Sequence, residues 1–331
     1  MNNDVILEVK NLCKDYINKK LVVHAVSDVS FTLRRGQTLG IVGESGCGKT
    51  TLGRCIVRGI PATSGEVLFH SPEGKTVDYL SLKGEALKDF RRHIQMIFQD
   101  PYSSLDPRMT VYDIICEPLK ANFHLPKEEL DKKVLRIAEL TGLNLSFLRR
   151  YPHAFSGGQR QRIGIARALV MYPQLVICDE PVSALDVSIQ AQIINLLKDL
   201  QQELGLTYIF ISHALSVVEH ISDMVMVMYL GRVVEMGTVE RLFTRPAHPY
   251  TEALLSAAPK PDPDIKTERI ILEGEVPSPA NPPSGCYFHP RCPYATERCA
   301  QQSPALTDVG DGHMCACLRA KELHLRQSAR V

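Results

Sequence analysis

No run in this 331-residue chain approaches the roughly 18–20 apolar residues that cross a bilayer. The strongest candidate, Met224-Val225-Met226-Val227-Met228-Tyr229-Leu230, has the length of a core strand. Charge of one sign is also missing: the formal net charge is +1, so no bulk field points to nucleic acid or to acidic lipid. The start, Met1-Asn2-Asn3-Asp4, lacks a basic n-region and an apolar h-region, and no secretory leader is expected there. No internal repeat is visible, which argues for one functional unit and not a tandem pair. What remains is ordinary: 44% hydrophobic and 23% charged residues, in a chain long enough for one large or two modest domains. Five of the ten cysteines, Cys13, Cys47, Cys55, Cys116 and Cys178, are scattered through the first two thirds, which suits a reducing compartment.

Residues Gly43-Glu44-Ser45-Gly46-Cys47-Gly48-Lys49-Thr50 fill G-x-x-x-x-G-K-[ST] without a mismatch. Backbone N–H groups of such a loop wrap a polyphosphate, a lysine in the place of Lys49 reaches the β- and γ-phosphates, and a hydroxyl in the place of Thr50 binds Mg²⁺. The apolar run Thr38-Leu39-Gly40-Ile41-Val42 before it reads as a buried strand. Thr51-Leu52-Gly53-Arg54-Cys55-Ile56-Val57 after it can open a helix whose dipole favours anions. By itself the octapeptide also fits a plain glycine turn.

A second apolar run, Leu175-Val176-Ile177-Cys178, ends in Asp179-Glu180. A carboxylate ending such a strand can hold Mg²⁺, and the next one can orient or deprotonate a water attacking the γ-phosphate. An acidic turn closing a core strand would look the same. Between the two runs, Phe155 is followed by Ser156-Gly157-Gly158-Gln159, a serine and two glycines suited to an anion-binding helix start.

The order of these motifs resembles the ATP-binding cassette (ABC) family, whose signature is Leu-Ser-Gly-Gly-Gln. Phe155 in the leucine position is similar to the oligopeptide and dipeptide importer branch. The resemblance extends to Gln99 in Gln95-Met96-Ile97-Phe98-Gln99-Asp100-Pro101 (Q-loop), to Ser183-Ala184-Leu185-Asp186 (D-loop), to His213 after Tyr208-Ile209-Phe210-Ile211-Ser212 (switch histidine) and to Tyr16, where the family stacks an aromatic on adenine. Taken singly, Gln99 and His213 fit a structural role better than a functional one, and Tyr16 fits both equally.

What the resemblance implies is specific. The fold is α/β, a P-loop ABC cassette with a RecA-like core, an antiparallel β edge and a helical subdomain, followed by a proline-rich, cysteine-containing extension. ATP contacts come from Tyr16, Gly43, Ser45, Gly46, Cys47, Gly48, Lys49, Thr50, Thr51 and Asp179. Ser156 and Gly158 cap the ATP held by the opposite subunit, and Gly157, Gln159 and Asp186 complete the nucleotide contacts. Thr50, Gln99 and Asp179 serve Mg²⁺, and Glu180, His213 and Gln99 serve catalysis. The partners are a second homologous ATPase, two transmembrane permease subunits and a periplasmic or extracellular binding protein, with the chain peripheral on the cytoplasmic face of the membrane. Nucleic acid is not among them. The cargo is di- or oligopeptide, with nickel, glutathione or an oligosaccharide as the alternative. A soluble ABC protein of translation or DNA repair is remote, since this chain has neither a second cassette nor a long coiled-coil insertion. One departure stands out: the family follows the switch histidine with aspartate, and here the residue is Ala214.

The expected boundaries are a cassette over 1–235, its helical subdomain near 101–172, and an extension over 236–331. Within the cassette, Lys127–Leu140 and Ser188–Leu204 read as helices and Lys83–Arg92 as a charged surface helix. In the extension, Pro246, Pro249, Pro259, Pro261, Pro263, Pro277, Pro279, Pro282 and Pro283 argue for an extended connector. His248-Pro249-Tyr250-Thr251-Glu252 resembles the extension of oligopeptide-type ATPases.

Cys286, Cys292, Cys299, Cys315 and Cys317 cluster near the end. Their spacing does not match common C-x₂-C zinc sites and leaves inert thiols, zinc and an iron–sulfur cluster equally open. The resemblance of Gly285-Cys286-Tyr287-Phe288-His289-Pro290-Arg291-Cys292-Pro293 to the family's terminal region implies a [4Fe–4S] cluster on Cys286, Cys292, Cys299 and Cys317, with Cys315 as the other candidate for the fourth ligand.

Overall fold

In the computed structural model, which describes residues 4–18, 21–71, 74–258 and 269–326, most of the short apolar runs are strands and most of the amphipathic stretches are helices. Met1, Asn2, Asn3, Pro259, Pro261 and Pro263 lie outside the described residues. The chain begins β1 (Val5–Asn18), β2 (Leu21–Arg34), β3 (Thr38–Val42), α1 (Lys49–Ile56), β4 (Ser64–His70), β5 (Thr76–Asp78), α2 (Gly84–Arg91) and β6 (Ile94–Ile97). Helices α3 (Val111–Asn122), α4 (Lys127–Leu140) and α5 (Gly157–Leu169) follow, then β7 (Leu175–Asp179), α6 (Val187–Leu204), β8 (Thr207–Ile211), α7 (Leu215–Ile221), β9 (Met224–Tyr229) and β10 (Arg232–Thr238). The last elements are short: α8 (Val239–Thr244), α9 (Pro249–Ala257), α10 (Glu297–Gln301), β11 (Thr307–Asp308) and β12 (Met314–Cys315).

These elements fall into two compact units. The first gathers the residues before Leu7, Arg34–Gln37 and Phe69–Ile211; the second gathers Leu7–Leu33, Thr38–Leu68 and the residues from Ser212 onward.

In the first unit β6, β7 and β8 are parallel neighbours, with Ile94 opposite Leu175 and Leu175 opposite Thr207. Every residue of β7 and β8 is buried. That explains their unbroken apolar runs, because a parallel strand covered on both faces has no solvent side to make polar. Helices α3, α4 and α5 pack on one another, as the periodicity of 127–140 anticipates. Helix α2 buries none of its residues, as a charged surface helix should. Helix α6 is capped at its start by Asp186, whose carboxylate accepts the Ile189 N–H at 3.0 Å, and ends at Gly205, which takes the left-handed conformation (φ 63°) that closes a helix.

In the second unit β1 lies between β2 and β4 in one sheet. In the other, β3 and β9 are parallel, β9 and β10 antiparallel, and β12 joins β10 on one side and β11 on the other. Gly40 in β3 is required by packing: a Cβ there would lie 2.5 Å from both Val218 of α7 and Ser222, which ends that helix. The extension is more structured than its prolines suggest. Strand β10 runs through residues 235 and 236, and Pro249 opens α9 in the first turn, where its missing N–H costs nothing. The stretch 269–285 has no helix or strand, and the Pro279 carbonyl accepts the His24 N–H of β2 at 3.1 Å.

The extension is pinned by a fully buried carboxylate. Glu235 of β10 accepts the backbone N–H of Ala247 at 2.6 Å and of His248 at 2.9 Å, and pairs with His313 Nε2 at 2.6 Å. His248 in turn caps α9, its Nδ1 accepting the Tyr250 N–H at 3.1 Å. Burial drives its pKa from the ordinary 6.5 down to about 4, against the opposing pull of Glu235. The unfolded chain therefore takes up a proton below pH 6.5 that the folded chain refuses until about pH 4. Stability contributed by neutral His248 is full above pH 6.5 and declines as pH falls, by about 3 kcal/mol at most. Urea unfolding from pH 7 to 4.5 should show this slope. His248→Asn, which can still cap α9, should flatten it.

Candidate functional site

The glycine loop joins β3 to α1 in the second unit, and its shape is set by two close backbone approaches. A Cβ on Gly43 (φ 150°) would lie 2.2 Å from the Met228 carbonyl oxygen. A Cβ on Gly48 (φ 103°) would lie 2.1 Å from the Ala25 carbonyl oxygen. The loop closes on itself through Cys47 N–H to the Glu44 carbonyl (3.3 Å) and is held to the strand turn by Gly231 N–H to the Cys47 carbonyl (2.9 Å). Lys49 is 5% exposed, and its Nζ donates to the carbonyls of Gly43 (2.8 Å) and Glu44 (2.9 Å). Helix α1 starts without a side-chain cap and without an acid in its first turn, so its N–H groups and dipole present an anion site. Ser45 and Gly46 are exposed on the loop's crest, Thr50 and Thr51 half-buried in the first turn. The Cys47 thiol is buried, and burial raises its pKa despite the neighbouring Lys49.

Three loop contacts involve residues the local motifs do not flag. The Glu44 carboxylate takes two bonds from Arg291 (Nη1 2.8 Å, Nη2 3.2 Å), and the Glu44 N–H donates to the Tyr250 hydroxyl at 2.8 Å. Tyr250 and Arg291 both sit in quoted stretches of the extension, but nothing in the spacing connects them to residue 44.

Also in the second unit, Tyr16 lies near the end of β1, 44% exposed, with Lys14 Nζ 5.0 Å from its ring centre. His213 is exposed just before α7. Ala214 occupies the N-cap of that helix and offers it no side-chain bond, where an aspartate would be a strong cap.

In the first unit the carboxylate strand delivers Asp179, 1% exposed, and then turns sharply: Glu180 has φ 45°, a left-handed conformation that is costly for a non-glycine residue. The turn is fastened by the Glu180 N–H to the Ile211 carbonyl (3.0 Å) and by the Ser183 hydroxyl to the Glu180 carbonyl (3.1 Å). The Gln99 amide donates to Glu180 Oε2 at 2.9 Å, so two expected catalytic residues 81 positions apart meet.

Ser156 starts α5 with a complete capping box. Its Oγ accepts the Gln159 N–H at 3.4 Å, and Gln159 Oε1 accepts the Ser156 N–H at 3.0 Å. Gly157 and Gly158 let this helix start lie against the beginning of α6: a Cβ on Gly158 would meet Ile189 at 2.5 Å, and one on Gly157 would meet Leu185 at 3.3 Å. The signature and the Asp186 cap are thus neighbours within this unit. The Ser188 hydroxyl and the Ile189 N–H hold the exposed Asp186 carboxyl below its usual range.

The iron–sulfur expectation for Cys286, Cys292, Cys299 and Cys317, and for Cys315 as the alternative, does not hold. Among the described residues no group of three or more His, Cys, Asp or Glu side chains is placed to hold a metal ion. Cys286, Cys292, Cys299 and Cys317 line a largely apolar cavity with Phe288 and Leu318. Burial raises the pKa of Cys286 and Cys317, carries Cys292 to about 12 and lifts Cys315 further still. All ten cysteines are unbridged.

Residues 26–183 match the family model described as ABC transporter, and residues 234–299 the model described as oligopeptide/dipeptide transporter, C-terminal region. The chain is 53% identical over 304 residues to a dipeptide transport ATP-binding protein of Haemophilus influenzae, covering 92% of this chain and 91% of that one. It is 51% identical over 326 residues to an oligopeptide transport ATP-binding protein of Bacillus subtilis, covering 96% and 98%. A dimeric ATP-binding cassette bound to ADP and phosphate superposes with a TM-score of 0.63 at 28% identity, over 71% of this chain and 99% of that one. A component of a Clostridium perfringens ABC transporter complex does so at 0.63 and 32%, over 72% and 91%.

The capping box makes a direct prediction. Ser156→Ala should cost about 1 kcal/mol of stability through the lost cap, and Gly158→Ala about 1–3 kcal/mol through overpacking against Ile189. Chemical unfolding of the two variants measures both.

Proposed function

The chain belongs to the ABC transporter family, with the C-terminal region of its oligopeptide/dipeptide branch, and from that premise we propose that it is the ATP-hydrolysing subunit of a membrane importer of short peptides. The observation that carries the engine is the phosphate loop, built around Lys49 with two positions where only glycine fits. The peptide cargo is supported by the match over 234–299 and by the relatives in Haemophilus influenzae and Bacillus subtilis.

Lys49 and the N–H groups of Gly46, Gly48, Thr50 and Thr51 take up phosphate oxygens, as a basic side chain and oriented amides at a helix start do. Tyr16, exposed beside Lys14, offers its ring to the adenine. Glu180 acts as general base on the attacking water, its carboxylate fixed by the Gln99 amide and by its fastened turn. His213 contacts the γ-phosphate. Thr50 in the second unit, and Gln99 and Asp179 in the first, each offer an oxygen of the kind Mg²⁺ takes, and Mg²⁺ bound with ATP would neutralise phosphate charge. Because the Gln99 amide is engaged by Glu180, its carbonyl is the end with lone pairs for a cation. Ser156, Gly157, Gly158, Gln159 and Asp186 meet the nucleotide of the opposite cassette, so hydrolysis requires a dimer and ATP stabilises that dimer by mass action.

The family implies a dimeric cassette and membrane permease partners. We assign to this chain a homologous second ATPase, two permease subunits and an external binding protein, with the chain peripheral on the cytoplasmic face. Among the described residues no helix is long and apolar enough to cross a membrane. Ala214 removes a carboxylate from beside His213; with His213 and Glu180 both present, hydrolysis persists.

The test is the intact complex with its binding protein. Di- and oligopeptides should stimulate ATP turnover; stimulation by nickel or glutathione in their place would overturn the cargo. Glu180→Gln should bind ATP with turnover lowered at least ~100-fold, the usual scale for a general base, and undiminished turnover would remove Glu180 from that role.

A further inference from the structure

Glu44 is an odd residue for a phosphate cradle. The motif leaves its position open, and a carboxylate on a loop that wraps a polyanion repels what the loop is built to hold. The surroundings answer that charge. All three polar groups of Glu44 are engaged: its carbonyl accepts Lys49 Nζ, its N–H donates to the Tyr250 hydroxyl, and its carboxylate accepts both arms of Arg291. The first tie belongs to the loop itself and the other two to the C-terminal extension, 247 residues away in the case of Arg291.

We propose that the extension sets the charge and backbone course of the phosphate loop through Glu44, making Arg291 and Tyr250 positioning residues for nucleotide binding. The proposal rests on the ATP-binding reading above. The two residues are themselves fixed. Tyr250 is fully buried in an aromatic group with Tyr229 (ring centres 4.7 Å apart) and Phe288 (5.3 Å). Phe288 lies three residues before Arg291 and immediately before the short 3-10 turn His289–Arg291, so the guanidinium springs from the anchored cluster. The Arg291 side chain is 8% exposed and that of Glu44 28%, so the pair is partly shielded from water and its fork geometry is specified by two bonds. The bond to Glu44 also holds Arg291 more firmly protonated than usual. Through this pair the loop presents Lys49 to a phosphate with no net opposing charge beside it. Through Tyr250 the N–H of Glu44 is drawn toward the extension, which fixes the carbonyl that Lys49 contacts.

The test removes the two charges in turn in the full-length chain, read by titration calorimetry with ATP, ADP and adenosine. Arg291→Ala should weaken ATP about tenfold, the scale of one uncompensated charge near a surface, weaken ADP less, and leave adenosine unchanged. Adding Glu44→Gln to Arg291→Ala should return ATP affinity to within about threefold of the parent chain. A merely structural role for Arg291 would not be rescued by deleting its partner's charge. If Arg291→Ala binds ATP like the parent, or the double variant stays as weak as the single, the proposal falls. If thermal unfolding shows that Arg291→Ala does not fold, Glu44→Gln alone decides: it should bind ATP at least as tightly as the parent, and weaker binding would overturn the inference. Loss of ATP binding in the parent chain itself would refute the ATPase reading and not this one alone.

Discussion

A carboxylate sealed from water organises the second unit. Glu235 has no exposure, and an uncompensated charge in such a place would cost several kcal/mol, so its donors are obligatory. Two of them are consecutive backbone N–H groups, Ala247 and His248, which fixes where the chain turns after α8 and where α9 begins. The third, His313, ties in the hairpin that carries β12. The position of α9 determines where Tyr250 stands, and Tyr250 touches the phosphate loop. A buried carboxyl group in β10 is thus connected, through one helix start, to the glycine loop between β3 and α1.

That connection recasts the extension. It adds strands to the sheet of β10, buries an aromatic cluster and reaches the loop's only acidic side chain. Its cysteines belong to the same packing. With Phe288 and Leu318, four of them (Cys286, Cys292, Cys299 and Cys317) line a largely apolar space. Sulfur in such surroundings behaves as a small hydrophobe.

Much of this was readable in advance, and the reason differs by element. Strands β3 and β7 declare themselves because a strand covered on both faces must be apolar throughout, and α4 because its periodicity is uninterrupted. The glycine loop and the Ser156 cap were legible because their chemistry is local, held within a few residues of sequence. Glu235 was not: a glutamate within Arg232-Val233-Val234-Glu235-Met236 carries no mark in its residue type of being buried. A register shift between Val233 and Glu235 and a partner 78 residues away make it a core residue. The left-handed turn at Glu180 leaves no mark in its residue type, and the pairing of Arg291 with Glu44 exists only in three dimensions. The cysteine cluster misled through the resemblance and not through its spacing, which had left thiols, zinc and iron–sulfur open; among the described residues no three ligating side chains are placed to hold a metal ion.

The glycines of the phosphate loop are usually credited with suppleness. Here Gly43 and Gly48 do the opposite. Each is pressed against a carbonyl of another segment, at Met228 and Ala25, with no room for a methyl group. The loop is therefore a mould and not a strap. Its conformational entropy is surrendered when the chain folds, so an arriving nucleotide has little disorder left to quench and its affinity can reflect contacts alone.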